Sequence, residues 1–254
     1  MPNSNSTQRR GCWWLLIPVV IIIALLGFTL WASIIPAPMP QAIAVLQPGA
    51  QVTVTTTPWL VFSPVGKQPA TGLIFYPGGR VDERAYAPMA HTLAAAGYLV
   101  VIPPMPLHLA VLAPDKALAI EATYPAVLHW VIGGHSLGGS MAAQFIYNHP
   151  DKAQGLVLFA SYPANNNSLA NLTLKVVSVS GSLDGLATPA KVEASRPLLP
   201  AATTWVVIQG GDHAQFGWYG PQSGDNPATI SREDQQAQAV AAVLNLLKAV
   251  DQNP

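Results

Sequence analysis

The stretch Gly133-Gly134-His135-Ser136-Leu137-Gly138-Gly139 lies between an apolar run, 127–132, and a helix-forming run, 140–147. A Gly-x-Ser-x-Gly pattern between a strand and a helix is the setting of a nucleophile elbow. The glycines have a steric reason. A serine on so sharp a turn has a strained backbone, and side chains two residues to either side collide with neighbouring elements. Gly134 and Gly138 remove those collisions. Ser136 Oγ is then held clear of the sheet at a helix N-terminus, where the Leu137 amide is placed to bind an oxyanion.

Outward from this turn, apolar runs alternate with helical ones. Residues 51–57 and 59–62 read as two strands joined at Pro58, and 72–76 as a buried parallel strand ending in Pro77-Gly78-Gly79-Arg80. Residues 86–96 read as a helix closed by Gly97, followed by a strand over 98–102 and a helix over 113–123. Further strands are expected at 155–160, 174–180 and 204–208. Helices are expected near 189–195 and from Ser231-Arg232-Glu233-Asp234 to about residue 250. This alternation predicts an α/β fold, a mostly parallel sheet with helices on both faces.

A serine hydroxyl is a poor nucleophile without a base. For a serine on such a turn, the chain order is Ser, then acid, then His. Of six histidines, His91, His108 and His129 precede the turn, and His135 and His149 flank it too closely. Only His213 follows the last strand, among small residues in Gly210-Gly211-Asp212-His213-Ala214. The acid belongs after the 174–180 strand, where Gly181-Ser182-Leu183-Asp184-Gly185 supplies Asp184 to orient the ring of His213. Asp212 is the rival, but an adjacent side chain normally points away from the ring. A second oxyanion donor is expected from Gly78 or Gly79, where the missing side chains let backbone approach substrate. Arg80 is read as a solvated side chain rather than one that attracts an anionic substrate.

Four segments together, 72–79, 133–139, 181–185 and 210–217, make the chain resemble the α/β-hydrolase superfamily. Within it, the resemblance is to small bacterial dienelactone-hydrolase-like carboxylesterases, over about residues 51–248. It implies an α/β-hydrolase fold, a Ser136-Asp184-His213 triad, oxyanion donors among Leu137, Gly78 and Gly79, a small-molecule ester substrate, and no cofactor or metal. Two features depart from the pattern. The usual His-Gly ahead of the oxyanion loop is Tyr76-Pro77 here. Dienelactone hydrolases proper use cysteine, so their substrate does not transfer. Acyl transfer, or cleavage of an amide or thioester, would use the same site, and a non-catalytic extracellular binding module would keep the same fold. Residues 161–171 are too short and polar for a helical cap. The expectation is therefore a shallow site for modest acyl esters, with Met105, Leu107 and Leu109 either walling it on one side or packing the edge of the sheet, and Trp218, Tyr219 and 220–229 on the other side.

The remaining sequence concerns location. From Trp13 to Ile35 run 23 uncharged residues. At ~1.5 Å per residue they reach about 34 Å, enough to cross a hydrocarbon core of roughly 30 Å. Trp13, Trp14 and Trp31 mark the two ends. Arg9-Arg10 precede the run and the next charge is Lys67, so the N-terminus is expected in the cytoplasm and the domain outside. The expected organisation is a cytoplasmic tail 1–12, a transmembrane signal anchor 13–35, a Pro-rich extended spacer 36–50 and a hydrolase domain 51–250. Cleavage as a signal peptide, giving a secreted domain, is the alternative. The single cysteine, Cys12, leaves no intramolecular disulfide. Twelve Lys and Arg balanced by twelve Asp and Glu provide no basic face for nucleic acid.

Overall fold

The computed structural model describes residues 16–47 and 49–252. The tail 1–12 with Arg9, Arg10 and Cys12, the anchor residues Trp13 and Trp14, and Pro48 lie outside the described residues. Helix α1 (Leu16–Ser33) is apolar along its length and almost entirely exposed, which makes it a candidate membrane span.

Eight strands form one sheet: β1 (Val52–Thr55), β2 (Leu60–Pro64), β3 (Thr71–Tyr76), β4 (Leu99–Ile102), β5 (His129–His135), β6 (Gly155–Phe159), β7 (Lys175–Gly181) and β8 (Thr204–Ile208). Their spatial order is β1-β2-β4-β3-β5-β6-β7-β8. The β1–β2 and β2–β4 pairs are antiparallel, and every pair from β4 to β8 is parallel. This is the mostly parallel, helix-covered sheet expected from the alternation of elements, in the α/β-hydrolase fold that the resemblance implied.

The central strands show why the sheet is covered on both faces. In β3, Leu73 and Phe75 enter one core, while Ile74 and Tyr76 enter the other. The period of two puts alternate side chains on opposite faces, so a strand buried on both sides reads as a continuous apolar run. Helices α3 (Ala87–Ala95) and α7 (Arg232–Gln252) cover the first face. Helices α4 (Lys116–Thr123) and α5 (Leu137–Asn148) cover the second. Gly97, at φ +109°, stops α3 as a positive-φ C-terminal residue should. Ser231 Oγ accepts from Asp234 N at 3.0 Å and opens α7. Helix α6 (Pro189–Ala194) sits between β7 and β8.

Several element ends shift by a few residues from the sequence reading, and two differences bear on the site. Strand β5 continues past Ile132 through Gly133, Gly134 and His135. A β-carbon on Gly133 would lie 2.7 Å from that of Val157, so only glycine lets the strand run on beside β6. The expected extended spacer 36–50 contains a short helix, α2 (Pro40–Ala44), packed on the domain. Met39 N donates to Trp218 O at 2.8 Å, and Ala42 is fully buried. Pro40 at the first helical position is preorganised for that turn, and five residues are too few to show a helical period.

Candidate active site

The carboxyl ends of β3, β5, β6 and β7 converge on Ser136, which follows β5 directly. Ser136 has φ 52° and ψ −122°, a conformation that L-residues adopt at a cost of about 1–3 kcal/mol. Its backbone is held on both sides. Ser136 N donates to Phe159 O at 2.9 Å, and Ser136 O accepts from Ser161 Oγ at 2.7 Å and Ser140 N at 3.2 Å. The flanking glycines are needed where the sequence placed them. A β-carbon on Gly134 would sit 2.5 Å from the Gly138 carbonyl carbon, and one on Gly138 would run into the carbonyl oxygens of Tyr76 and Pro77.

Asp184 and His213 meet although 29 residues separate them. His213 Nδ1 donates to Asp184 Oδ2 at 2.9 Å, with both side chains buried. Asp184 Oδ1 accepts from the amides of Leu186 at 2.8 Å and Ala187 at 2.7 Å, so both carboxylate oxygens are engaged. His213 Nε2 is buried and has no hydrogen-bond partner among the described residues. Its ring lies against His135, the residue before Ser136, with centroids 4.6 Å apart. Asp212 is turned elsewhere: its Oδ1 accepts from Gln215 N at 2.7 Å, and burial raises its pKa.

The sequence reading missed three residues at this site. Asp225 bridges the acid loop and the histidine loop, accepting from Gly185 N through Oδ1 and from Ala214 N through Oδ2, each at 2.9 Å. His135, set aside for its closeness to the serine, is fully buried. Burial pushes its pKa well below the ordinary histidine value, and proximity to His213 adds to this. Tyr86 Oη accepts from Gly78 N at 3.0 Å and lies 2.9 Å from His135 Nδ1. The Gly78 amide, one of the two candidates for the second oxyanion donor, is thus occupied by a tyrosine. Gly79 adjoins Leu137: a β-carbon placed on it would be 3.2 Å from Leu137 Cδ2.

A cleft of about 600 Å³ opens at Gly79, within the range of roughly 300–1,000 Å³ common to small-molecule sites. Leu109 lines it, whereas Met105 is buried in the core. Of the opposite wall expected from Trp218, Tyr219 and 220–229, Tyr219, Pro221, Gln222 and Ser223 line the cleft, whereas Trp218 is buried and does not. The third wall was not expected: Trp31, Ile34 and Ile35, at the end of α1 and just beyond it. Arg80, read as solvated, holds this wall in place. Its Nη2 donates to Ile34 O at 2.6 Å, and its guanidinium lies 4.2 Å from the Trp31 ring centroid. Among the described residues no group of three or more His, Cys, Asp or Glu side chains could hold a metal ion.

The sequence model of the alpha/beta hydrolase family matches residues 72–237, which include every residue of this site outside the α1 wall. No curated protein matches the chain. Among solved structures, similarity extends to a protein assigned as a CIB-like hydrolase from Thermoplasma acidophilum. It has 17% identity and a TM-score of 0.55, with 77% of this chain and 98% of that chain covered. Similarity also extends to a protein assigned as a dienelactone hydrolase from Klebsiella pneumoniae. Here identity is 17% and the TM-score 0.57, over 78% of this chain and 97% of that chain. At that identity the two structures speak for the fold alone.

Proposed function

The chain belongs to the alpha/beta hydrolase family, and on that premise we propose that it is a serine hydrolase cleaving carboxylic esters through an acyl-Ser136 intermediate. The observation that carries this reading is the buried His213–Asp184 pair, with Nε2 left unpartnered and the ring packed on His135, the residue before the strained serine. His213 Nε2 takes the proton of Ser136 Oγ as the oxygen attacks the ester carbonyl. Asp184 keeps the ring in the tautomer that frees Nε2 and stabilises the imidazolium. The oxyanion is held by the amides of Leu137 and Gly79. Gly79 is preferred to Gly78 because the Gly78 amide already donates to Tyr86. Collapse of the tetrahedral intermediate expels the alcohol, which takes the proton from His213. Water then repeats the sequence to release the acid and restore Ser136. A serine–histidine bond tightens on substrate binding, so an unpartnered Nε2 in the free protein fits the role.

In this reading α1 with the residues before it anchors the protein in the bilayer, the tail is cytoplasmic and the hydrolase domain is extracytoplasmic. Ser136→Ala in the full chain is expected to lower kcat for p-nitrophenyl acetate by about a thousandfold or more and to abolish labelling by a fluorophosphonate probe. Wild-type activity in that variant would overturn the assignment.

A further inference from the structure

The cleft beside Gly79 has a wall that the hydrolase fold does not supply, since Trp31, Ile34 and Ile35 belong to the N-terminal segment. We propose that this wall is a substrate subsite: the cleft between the end of α1 and the Gly78–Arg80 loop takes an aliphatic chain of the ester. The proposal rests on the serine-hydrolase reading and names the substrate class for that site, an amphiphilic ester presented at the membrane surface.

Three observations support it. First, the wall is held to the catalytic loop rather than merely near it. Arg80 follows Gly79, and it both donates to Ile34 O and stacks on Trp31. Second, the cleft leads to the proposed reacting centre. Gly79 lines it, and a β-carbon placed on Gly79 would be 3.2 Å from Leu137 Cδ2, so a chain lying in the cleft has one end close to the two proposed oxyanion amides. Third, the lining is largely apolar, with Trp31, Ile34, Ile35, Leu109 and Tyr219 bordering the cleft. A bound aliphatic chain would remove apolar surface from water on both partners. The position of the mouth points the same way. Ser33 ends the candidate membrane span, so residues 34–36 leave the bilayer at the cleft entrance. Amphiphilic esters concentrate at that depth, with their chains toward the hydrocarbon. The cover that no cap domain provides thus comes from the anchor, and the site is less shallow than the 161–171 segment suggested.

The test uses the full chain in lipid–detergent micelles. Two variants alter the wall: Ile35→Trp fills the cleft, and Trp31→Ala removes one side at an exposed position. The readout is the ratio of kcat/KM for p-nitrophenyl decanoate to that for the acetate. A parallel series of alkyl acetates, ethyl to decyl, probes the alcohol side. Ile35→Trp is expected to lower the long-to-short ratio about tenfold in one of the two series. Trp31→Ala is expected to move the same series in the same direction, and it decides the matter should the bulkier variant misfold. Ratios equal to wild type in both series overturn the proposal. Its failure is distinct from failure of the hydrolase reading, in which the wild-type chain itself hydrolyses no ester and takes no fluorophosphonate label.

Discussion

The Tyr86 hydroxyl accepts from Gly78 N–H, which leaves its own proton for His135 Nδ1. In that arrangement His135 is the neutral tautomer with hydrogen on Nε2, in keeping with a pKa pressed well below the ordinary value by burial. A neutral ring beside His213 adds no charge to oppose the imidazolium that forms there. Tyr86→Phe leaves the Gly78 amide and His135 Nδ1 buried without partners, a loss of about 1–3 kcal/mol in stability. Because Gly78 precedes the proposed oxyanion donor, kcat is expected to fall about tenfold with little change in KM. Thermal unfolding and ester kinetics check the two parts separately, and a stability loss with kcat intact would make Tyr86 structural only. Ser136, Asp184 and His213 could be named from the sequence because glycine context and chain order mark them. Tyr86, His135 and Asp225 could not. Tyr86 and His135 meet across 49 residues, and Asp225 reaches 40 residues back to Gly185, with no pattern in the intervening chain to announce either contact.

At the scale of elements, the strands buried on both faces were the easiest to read, since β3 and β6 are continuous apolar runs flanked by turn residues. Their ends were harder, as the extension of β5 through two glycines shows; glycine reads as a turn unless the neighbour that requires it is known. Helix α4 carries a feature that composition does not reveal. Burial pushes the Glu121 carboxyl from about 4.5 up to about 7, with Lys152 lowering it and Asp151 raising it to lesser extents. The folded chain therefore holds this proton to higher pH than the unfolded chain. The penalty is absent below the unfolded value, grows as pH rises between the two and is complete above about 7. Glu121→Gln removes it. Solvent screening of this half-exposed group keeps the gain to the order of 1 kcal/mol at pH 8. Melting temperatures of variant and wild type should coincide near pH 4 and diverge upward for the variant by pH 8. A difference that does not vary with pH would reject the account.

Across the whole molecule, composition divides the chain into an apolar span, a Pro-rich segment and a region of mixed composition, in series. Contacts join them more closely than composition implies. Arg80 grips the end of α1, Met39 N donates to Trp218 O, and Ala42 of α2 is fully buried. The segment is too short and uncharged for periodicity or pairing to signal that it docks. Its docking bears on the proposed subsite because it lies beside the end of α1 that lines the cleft. Ala42→Asp puts a carboxylate where no solvent reaches, and the segment is expected to lift off rather than bury it. No Lys or Arg lies between residues 11 and 66, so elastase is the appropriate probe. Cleavage within 36–50 should become several-fold faster in the variant while the melting temperature of the domain is retained, since the sheet and both its cores remain intact. Equal cleavage rates would mean that the contacts at 39–46 contribute nothing to holding the anchor end, and that Arg80 alone sets the width of the cleft.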